Sequence, residues 1–214
     1  MRIEPLGDAA FIVRGMGDPP AFVFSDYLIK KGVPGVIEVV PAYDTLGVYV
    51  EPDQFSVEDL RSALDQFTPS QQTPGREHRV PVCYELGEDL QACCDELGLS
   101  ASEFVSLHCS RPYLCYAVGF APGFPYLGYL PEELCGLARL PSPRLSVSAG
   151  AVAVVEDQTG IYPGDRPGGW RLVGMTPLET VNVRDEYFPI AAGDWVSFYA
   201  VSVSEFESRR GERL

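Results

Sequence analysis

Glycine and proline constrain this chain more than any other feature: 21 glycines and 19 prolines among 214 residues. Both interrupt regular elements and build turns. The sequence therefore predicts a β-rich protein with long structured loops. Apolar residues make up 46% of the chain, enough for a real core, which excludes a wholly disordered polypeptide. At roughly 100–200 residues per domain, the length admits one or two domains.

Charge narrows the partners. The formal net charge is −14, and Lys30 and Lys31 are the only lysines. Such a balance repels phosphate backbones and anionic lipid, so neither nucleic acid nor a membrane surface is an expected partner. No apolar run nears the roughly 18 residues that span a bilayer. Met1–Gly7 shows no basic stretch or apolar signal core, so the expected location is cytoplasmic. Cys83, Cys93, Cys94, Cys109, Cys115 and Cys135 are then expected as free, mostly buried thiols.

Residues 1–75 read as ββαββα. Arg2–Leu6 and Ala9–Arg14 form a hairpin around Gly7-Asp8, and a helix runs from Pro20 to about Lys31 with Gly32 as its stop. Val36–Val40 and Thr45–Val50 are β-branched-rich strands. Ser56 caps a helix whose Val57, Leu60, Leu64 and Phe67 share one face. This order predicts a small α+β sandwich with both helices on one face of the sheet. Thr68–His78 is polar, proline-bearing and aperiodic, as linkers are. Residues 76–210 form the second expected domain. It opens with a strand over Arg79–Tyr84 and two helices, the second carrying a Ser100/Glu103 capping box and a Leu99/Phe104 staple. Strands follow over Tyr113–Ala121, Leu145–Glu156, Trp170–Met175 and Asp194–Val203, predicting a closed or nearly closed barrel. The tail Glu205–Leu214 is expected to fray.

No phosphate-binding loop, dinucleotide fingerprint, nucleophile elbow or H-E-x-x-H motif occurs. Two histidines, His78 and His108, cannot build a histidine-rich metal centre, and the cysteine spacing does not suggest structural zinc. Two loops stand out. In Gly119–Gly128 the glycines let backbone approach a ligand while Phe120, Phe124 and Tyr126 can wall a pocket. The alternative is a turn-dense loop that tucks its aromatics into the core. Gln158–Trp170 offers Gln158, Thr159 and Tyr162 as polar groups, Arg166 as a cation and Trp170 as an anchor, or else merely caps one end of a barrel. His108 suits proton transfer or a hydrogen-bonded structural role. Arg144 suits a bidentate grip on a carboxylate, or a surface salt bridge. Glu132-Glu133 and Asp185-Glu186 read as solvated turns.

The runs Gly119–Leu130 (GFAPGFPYLGYL), Pro143-Arg144, Ala149-Gly150, Gln158–Pro163 (QTGIYP) and Pro167–Trp170 together resemble one family. Its members are variously called allophanate hydrolase subunit 1, the 5-oxoprolinase B subunit, or KipI, the sporulation-kinase inhibitor. Val36–Val50 and Leu107-His108 also fit, so the resemblance covers about residues 1–205. It implies an N-terminal α+β domain followed by a cyclophilin-like β-barrel. It further implies a partner of the allophanate hydrolase subunit 2, 5-oxoprolinase C-subunit or KipA type, and a third component of the LamB/YcsF type. Such an assembly uses ATP to open 5-oxoproline to glutamate. Two departures stand out: Ser148 and Ala151 replace the family's usual proline and serine, and Met175 precedes Thr176 where a basic residue or histidine is usual.

On this resemblance the first expectation is a component of an ATP-dependent 5-oxoprolinase-type amidohydrolase, active only with its partner. His108, Gln158, Thr159 and Tyr162 are the candidate catalytic residues. Phe120, Phe124, Tyr126, Arg144 and Trp170 are the candidate substrate-binding residues. The alternatives are a KipI-like kinase inhibitor, an allophanate or urea amidolyase-type subunit and, resting on shared fold alone, a prolyl isomerase.

Overall fold

The computed structural model describes residues 1–17, 20–68 and 75–214. Most of the linker expected over Thr68–His78 lies outside the described residues. The chain divides into two compact units, Met1–Pro74 and Gly75–Leu214, each with its own core.

In the first unit, β1 (Arg2–Pro5), β2 (Ala10–Arg14), β3 (Val36–Ala42) and β4 (Thr45–Val50) form an antiparallel sheet in the order β1-β2-β4-β3. Helices α1 (Ala21–Lys31) and α2 (Val57–Asp65) bury Phe24, Leu28, Leu60 and Leu64 against Val13, Val39, Leu46 and Val48 of that sheet. Gly32 ends α1 with φ 66°, its N–H donating to the Leu28 carbonyl at 3.1 Å. Ser56 precedes α2 as expected but accepts no backbone N–H. Its hydroxyl donates instead to the Glu58 carboxylate at 3.1 Å.

The second unit runs β5 (Glu77–Val82), α3 (Leu90–Leu97), α4 (Ala101–His108), β6 (Tyr113–Val118), β7 (Pro125–Gly128), β8 (Arg144–Val147), β9 (Ala151–Val155), β10 (Gln158–Ile161), β11 (Arg166–Gly168), β12 (Arg171–Met175), β13 (Trp195–Ala200) and α5 (Val203–Ser208). Strands β6-β7-β10-β9-β12 are consecutive antiparallel neighbours. At the other end β13 pairs antiparallel with β6 and parallel with β5. The terminal strands β5 and β12 are joined by one bridge, with Cys83 and Met175 exchanging backbone hydrogen bonds of 2.8 and 3.0 Å. No continuous ladder closes the sheet among the described residues. The unit is a mostly antiparallel α+β structure with few helices.

Strand β9 shows why this sheet matters for function. All five of its residues, AVAVV, are buried. Side chains alternate across a strand, so Val152 and Val154 enter one core with Val80, Phe104 and Val196. Ala151, Ala153 and Val155 enter a second core with Phe124, Tyr162 and Trp170. A sheet covered on both faces reads as a continuous apolar run rather than an alternating one.

Several expectations need correction. The strand expected over Leu145–Glu156 is two strands, β8 and β9, separated by a turn at Gly150. Gly150 has φ 84°, and a Cβ there would lie 2.5 Å from the Thr176 carbonyl oxygen. The two expected loops contain strands β7, β10 and β11. The tail is ordered: Ser202 caps α5 by accepting the Glu205 N–H, and Tyr187 donates to the Leu214 carbonyl at 2.5 Å. The Ser100/Glu103 capping box is present as expected, with Leu99 and Phe104 in one core.

Candidate functional site

The two motif-bearing runs are adjacent strands. Gln158 pairs with Gly128, Thr159 with Leu127 and Gly160 with Tyr126. Alternation along β10 then sends its side chains to opposite faces. Thr159 meets His108 on one face, while Gly160 and Tyr162 meet the aromatic loop on the other. The four candidate catalytic residues therefore do not converge on one point.

His108 and Thr159 are fully buried. The Thr159 hydroxyl donates to the Ala153 carbonyl at 3.0 Å, so it accepts from His108 Nε2–H, also at 3.0 Å. Nδ1 must then be the acceptor, and the Tyr84 hydroxyl donates to it at 2.6 Å. The imidazole stacks on Phe198 with ring centres 4.7 Å apart. Burial pushes the His108 pKa down to about 3, keeping the ring neutral. Both ring nitrogens of His108 are thus held by core partners.

On the other face Phe124 is the hub of edge-on contacts, with ring centres 5.2 Å from Tyr162, 5.4 Å from Trp170 and 5.1 Å from Tyr126. Phe124, Tyr162 and Trp170 are buried, so three of the expected site residues are core. Glycines make the space. A Cβ on Gly160 would sit 3.0 Å from the Phe124 ring, and one on Gly168 would sit 2.3 Å from the Tyr162 hydroxyl oxygen. That oxygen accepts the Trp170 backbone N–H, and burial raises the phenol's pKa. Phe120 differs: it has φ 65° and is 66% exposed. Gln158 is half-buried at the start of β10.

Arg144 grips carboxylates, but those of its own chain. Nη2 donates to Asp89 at 2.7 Å and Nε lies 3.3 Å from Glu88. Asp89 is itself fixed, accepting the Leu172 N–H at 2.7 Å. Arg144 Nη1 is buried without a hydrogen-bond partner.

A cavity of about 280 Å³ lies where three of the motif segments meet. Ala149 and Gly150, Pro163, and Thr176 and Pro177 contribute to its wall. Backbone bonds fasten them together: Gly150 N–H to Tyr162 O at 2.7 Å, and Thr176 N–H to Gly150 O at 2.8 Å. Thr176, Leu178, Thr180 and Phe206 are buried in its lining, while Ala149 and Arg210 are exposed. Glu179 and Arg210 are the charged residues of its wall.

Comparison with known proteins agrees with this architecture. The family "carboxyltransferase domain, subdomain C and D" matches residues 1–189. The chain belongs to this family. It is 31% identical to the 5-oxoprolinase B subunit of Bacillus subtilis, over 99% of this chain and 97% of that protein. It is 37% identical to the 5-oxoprolinase B subunit of Escherichia coli O157:H7, over 90% and 93% respectively. Among solved structures, TTHA0988 superposes with a TM-score of 0.80 and 35% identity, over 90% of this chain. The chain spans 40% of the length of TTHA0988. The Kluyveromyces lactis urea carboxylase shares the fold, with a TM-score of 0.72 and 14% identity, covering 96% of this chain and 22% of that one.

In this member of the carboxyltransferase C and D family, one wall of the cavity lies beyond the matched residues. Phe206, Arg210 and Gly211 come from α5 and the tail after it. The high charge of Glu205–Leu214 hides these residues in the sequence, where the tail is expected to fray. The signal was present: Ser202-x-x-Glu205 ahead of Phe206 is a helix-start signature. Thr180, also missed, sits in a stretch with no periodic pattern.

Proposed function

We propose that the chain is one component of a 5-oxoprolinase-type hydrolase that opens the cyclic amide of 5-oxoproline, and that it works only with a partner subunit. One observation carries this: its likeness to the Bacillus subtilis 5-oxoprolinase B subunit extends over nearly the whole of both chains. The geometry supports a shared site. His108 and Thr159 are locked in the core, and Tyr162 lies across β10 from them, so these three do not form a catalytic group together. The lengths of TTHA0988 and urea carboxylase support it too, because a unit like this one is there part of a much longer chain.

Several finer readings belong to this proposal. Residues 76–210 are read as a cyclophilin-like β-barrel following an α+β domain at 1–75, supported by the single Cys83–Met175 bridge joining the terminal strands. The partners are a 5-oxoprolinase C-subunit or KipA-type protein and a LamB/YcsF-type protein. Six free cysteines suit a reducing cytoplasm, and no helix among the described residues is long and apolar enough to cross a membrane. ATP is used by the assembly. We assign no ATP-dependent step to this chain, which has no phosphate loop. Co-expression with the subunits encoded beside its gene should give 5-oxoproline-dependent ATP hydrolysis. Activity no higher than that of the assembly lacking this chain would overturn the proposal.

A further inference from the structure

The cavity bounded by Gly150, Thr176, Thr180 and Arg210 has the size and polarity of a small-molecule site. At about 280 Å³ and open to solvent on one side, it has room for a five- or six-membered ring with one or two small substituents. Pro163, Pro177, Leu178 and Phe206 supply apolar walls for such a ring.

Two threonines on the wall carry hydroxyls. Thr176 Oγ1 accepts the Leu178 N–H at 3.4 Å, which leaves its hydroxyl proton to donate elsewhere. Thr180 is 6% exposed and adds a second hydroxyl to the same wall. Two threonine hydroxyls can match both halves of an amide, donating to the carbonyl and accepting from the N–H.

The charged groups around the cavity differ in how firmly they are engaged. Glu179 is spent: one oxygen accepts from Asn182 at 2.9 Å and the other from Arg213 at 2.8 Å. Arg213 also bonds Asp185 and lies over the Tyr187 ring. Arg209 is held by Tyr199 at 2.6 Å and Glu212 at 2.9 Å. Arg210 is different. Its ion pair with Glu207 is 3.7 Å long with both side chains more than half exposed, an arrangement worth little. The guanidinium also lies over the Phe206 ring, 5.5 Å from its centre, which holds it beside the cavity wall without using its N–H donors. Of Arg209, Arg210 and Arg213, the one on the cavity rim is the one left able to take a ligand.

From this we propose that the cavity binds a small cyclic amide bearing a carboxylate, with Arg210 gripping the carboxylate and Thr176 and Thr180 facing the amide. This rests on the 5-oxoprolinase reading and gives that reading a binding site in this chain. It also moves the anion-binding role from Arg144, which Asp89 and Glu88 occupy, to a residue outside the family-matched segment.

The test uses the reconstituted assembly, with Arg210→Gln and Thr180→Val in this chain. KM for L-5-oxoproline and inhibition by 2-pyrrolidinone, the same ring without its carboxylate, are measured for each. Arg210→Gln should raise KM about tenfold or more, the worth of a charge-assisted bond, with kcat within about twofold and 2-pyrrolidinone inhibition unchanged. Thr180→Val should weaken both ligands. An unchanged KM in Arg210→Gln, or equal weakening of both ligands by it, overturns the site while the active assembly keeps the 5-oxoprolinase reading. A wild-type assembly with no 5-oxoproline-dependent ATP hydrolysis overturns that reading, and this assignment falls with it.

Discussion

His108 gives the sharpest test of the structural account, because a buried neutral histidine makes folding depend on pH in a defined window. The ordinary histidine pKa is 6.5, and in the folded protein it is about 3. Protonation therefore favours the unfolded chain. The stability that His108 contributes is complete above pH 6.5, falls as pH drops toward about 3, and has no further dependence below that. Each unit of the fall is worth about 1.4 kcal/mol, so about 2 kcal/mol is lost by pH 5. Most carboxylates titrate near 4, leaving pH 5–6.5 as a window that they scarcely disturb. Both tryptophans, Trp170 and Trp195, lie in Gly75–Leu214, so urea denaturation followed by tryptophan fluorescence reports on the unit containing His108. His108→Gln should lose about 3 kcal/mol at pH 7.5: two net hydrogen bonds at about 1 kcal/mol each, plus the stacking on Phe198. Its stability should then stay level between pH 6.5 and 5. A wild-type curve that is flat across this window, or a variant with the wild-type slope, refutes the buried neutral histidine. A variant that keeps its stability but abolishes activity would make His108 a catalyst instead.

Other substitutions separate core from surface within the motifs. Phe124→Ala should cost about 3–5 kcal/mol in urea denaturation, while Phe120→Ala, at an exposed position of the same loop, should cost less than about 1 kcal/mol. Gly168→Ala pushes a methyl against the Tyr162 hydroxyl and should cost about 1–3 kcal/mol, read by the same assay. Arg144→Met leaves Asp89 without its cation and should cost about 2 kcal/mol, with Arg144→Lys recovering only part because a single ammonium cannot reproduce the guanidinium's bonds to Asp89 and Glu88.

The sequence was most legible where structure is local. Leu60 and Leu64 of α2, the Gly32 stop and the Ser100/Glu103 box depend on neighbours a few residues away, and each appears where periodicity or capping chemistry puts it. Strands β7 and β10 were hidden by their own glycines and prolines. Gly160 reads as a strand breaker, yet it lies in a strand because the Phe124 ring occupies the space a side chain would take. Arg144 was legible as a carboxylate binder but not as one already engaged, since Asp89 is 55 residues away. The cavity was the least legible. Its wall joins Gly150, Thr176 and Arg210, which no short window contains.

The parallel pairing of β5 with β13 also sets a schedule for biosynthesis. Arg76 and Asp194, hydrogen-bonded at the start of this pairing, are 118 residues apart. A ribosome adding roughly 5–20 residues per second takes about 6–24 s to cover that distance. Throughout that interval the Val80 and Val82 strand has emerged without the neighbour that shields its edge. A nascent chain stalled before β13 therefore carries an unsatisfied apolar strand, and escape from aggregation depends on how quickly translation delivers the last strand.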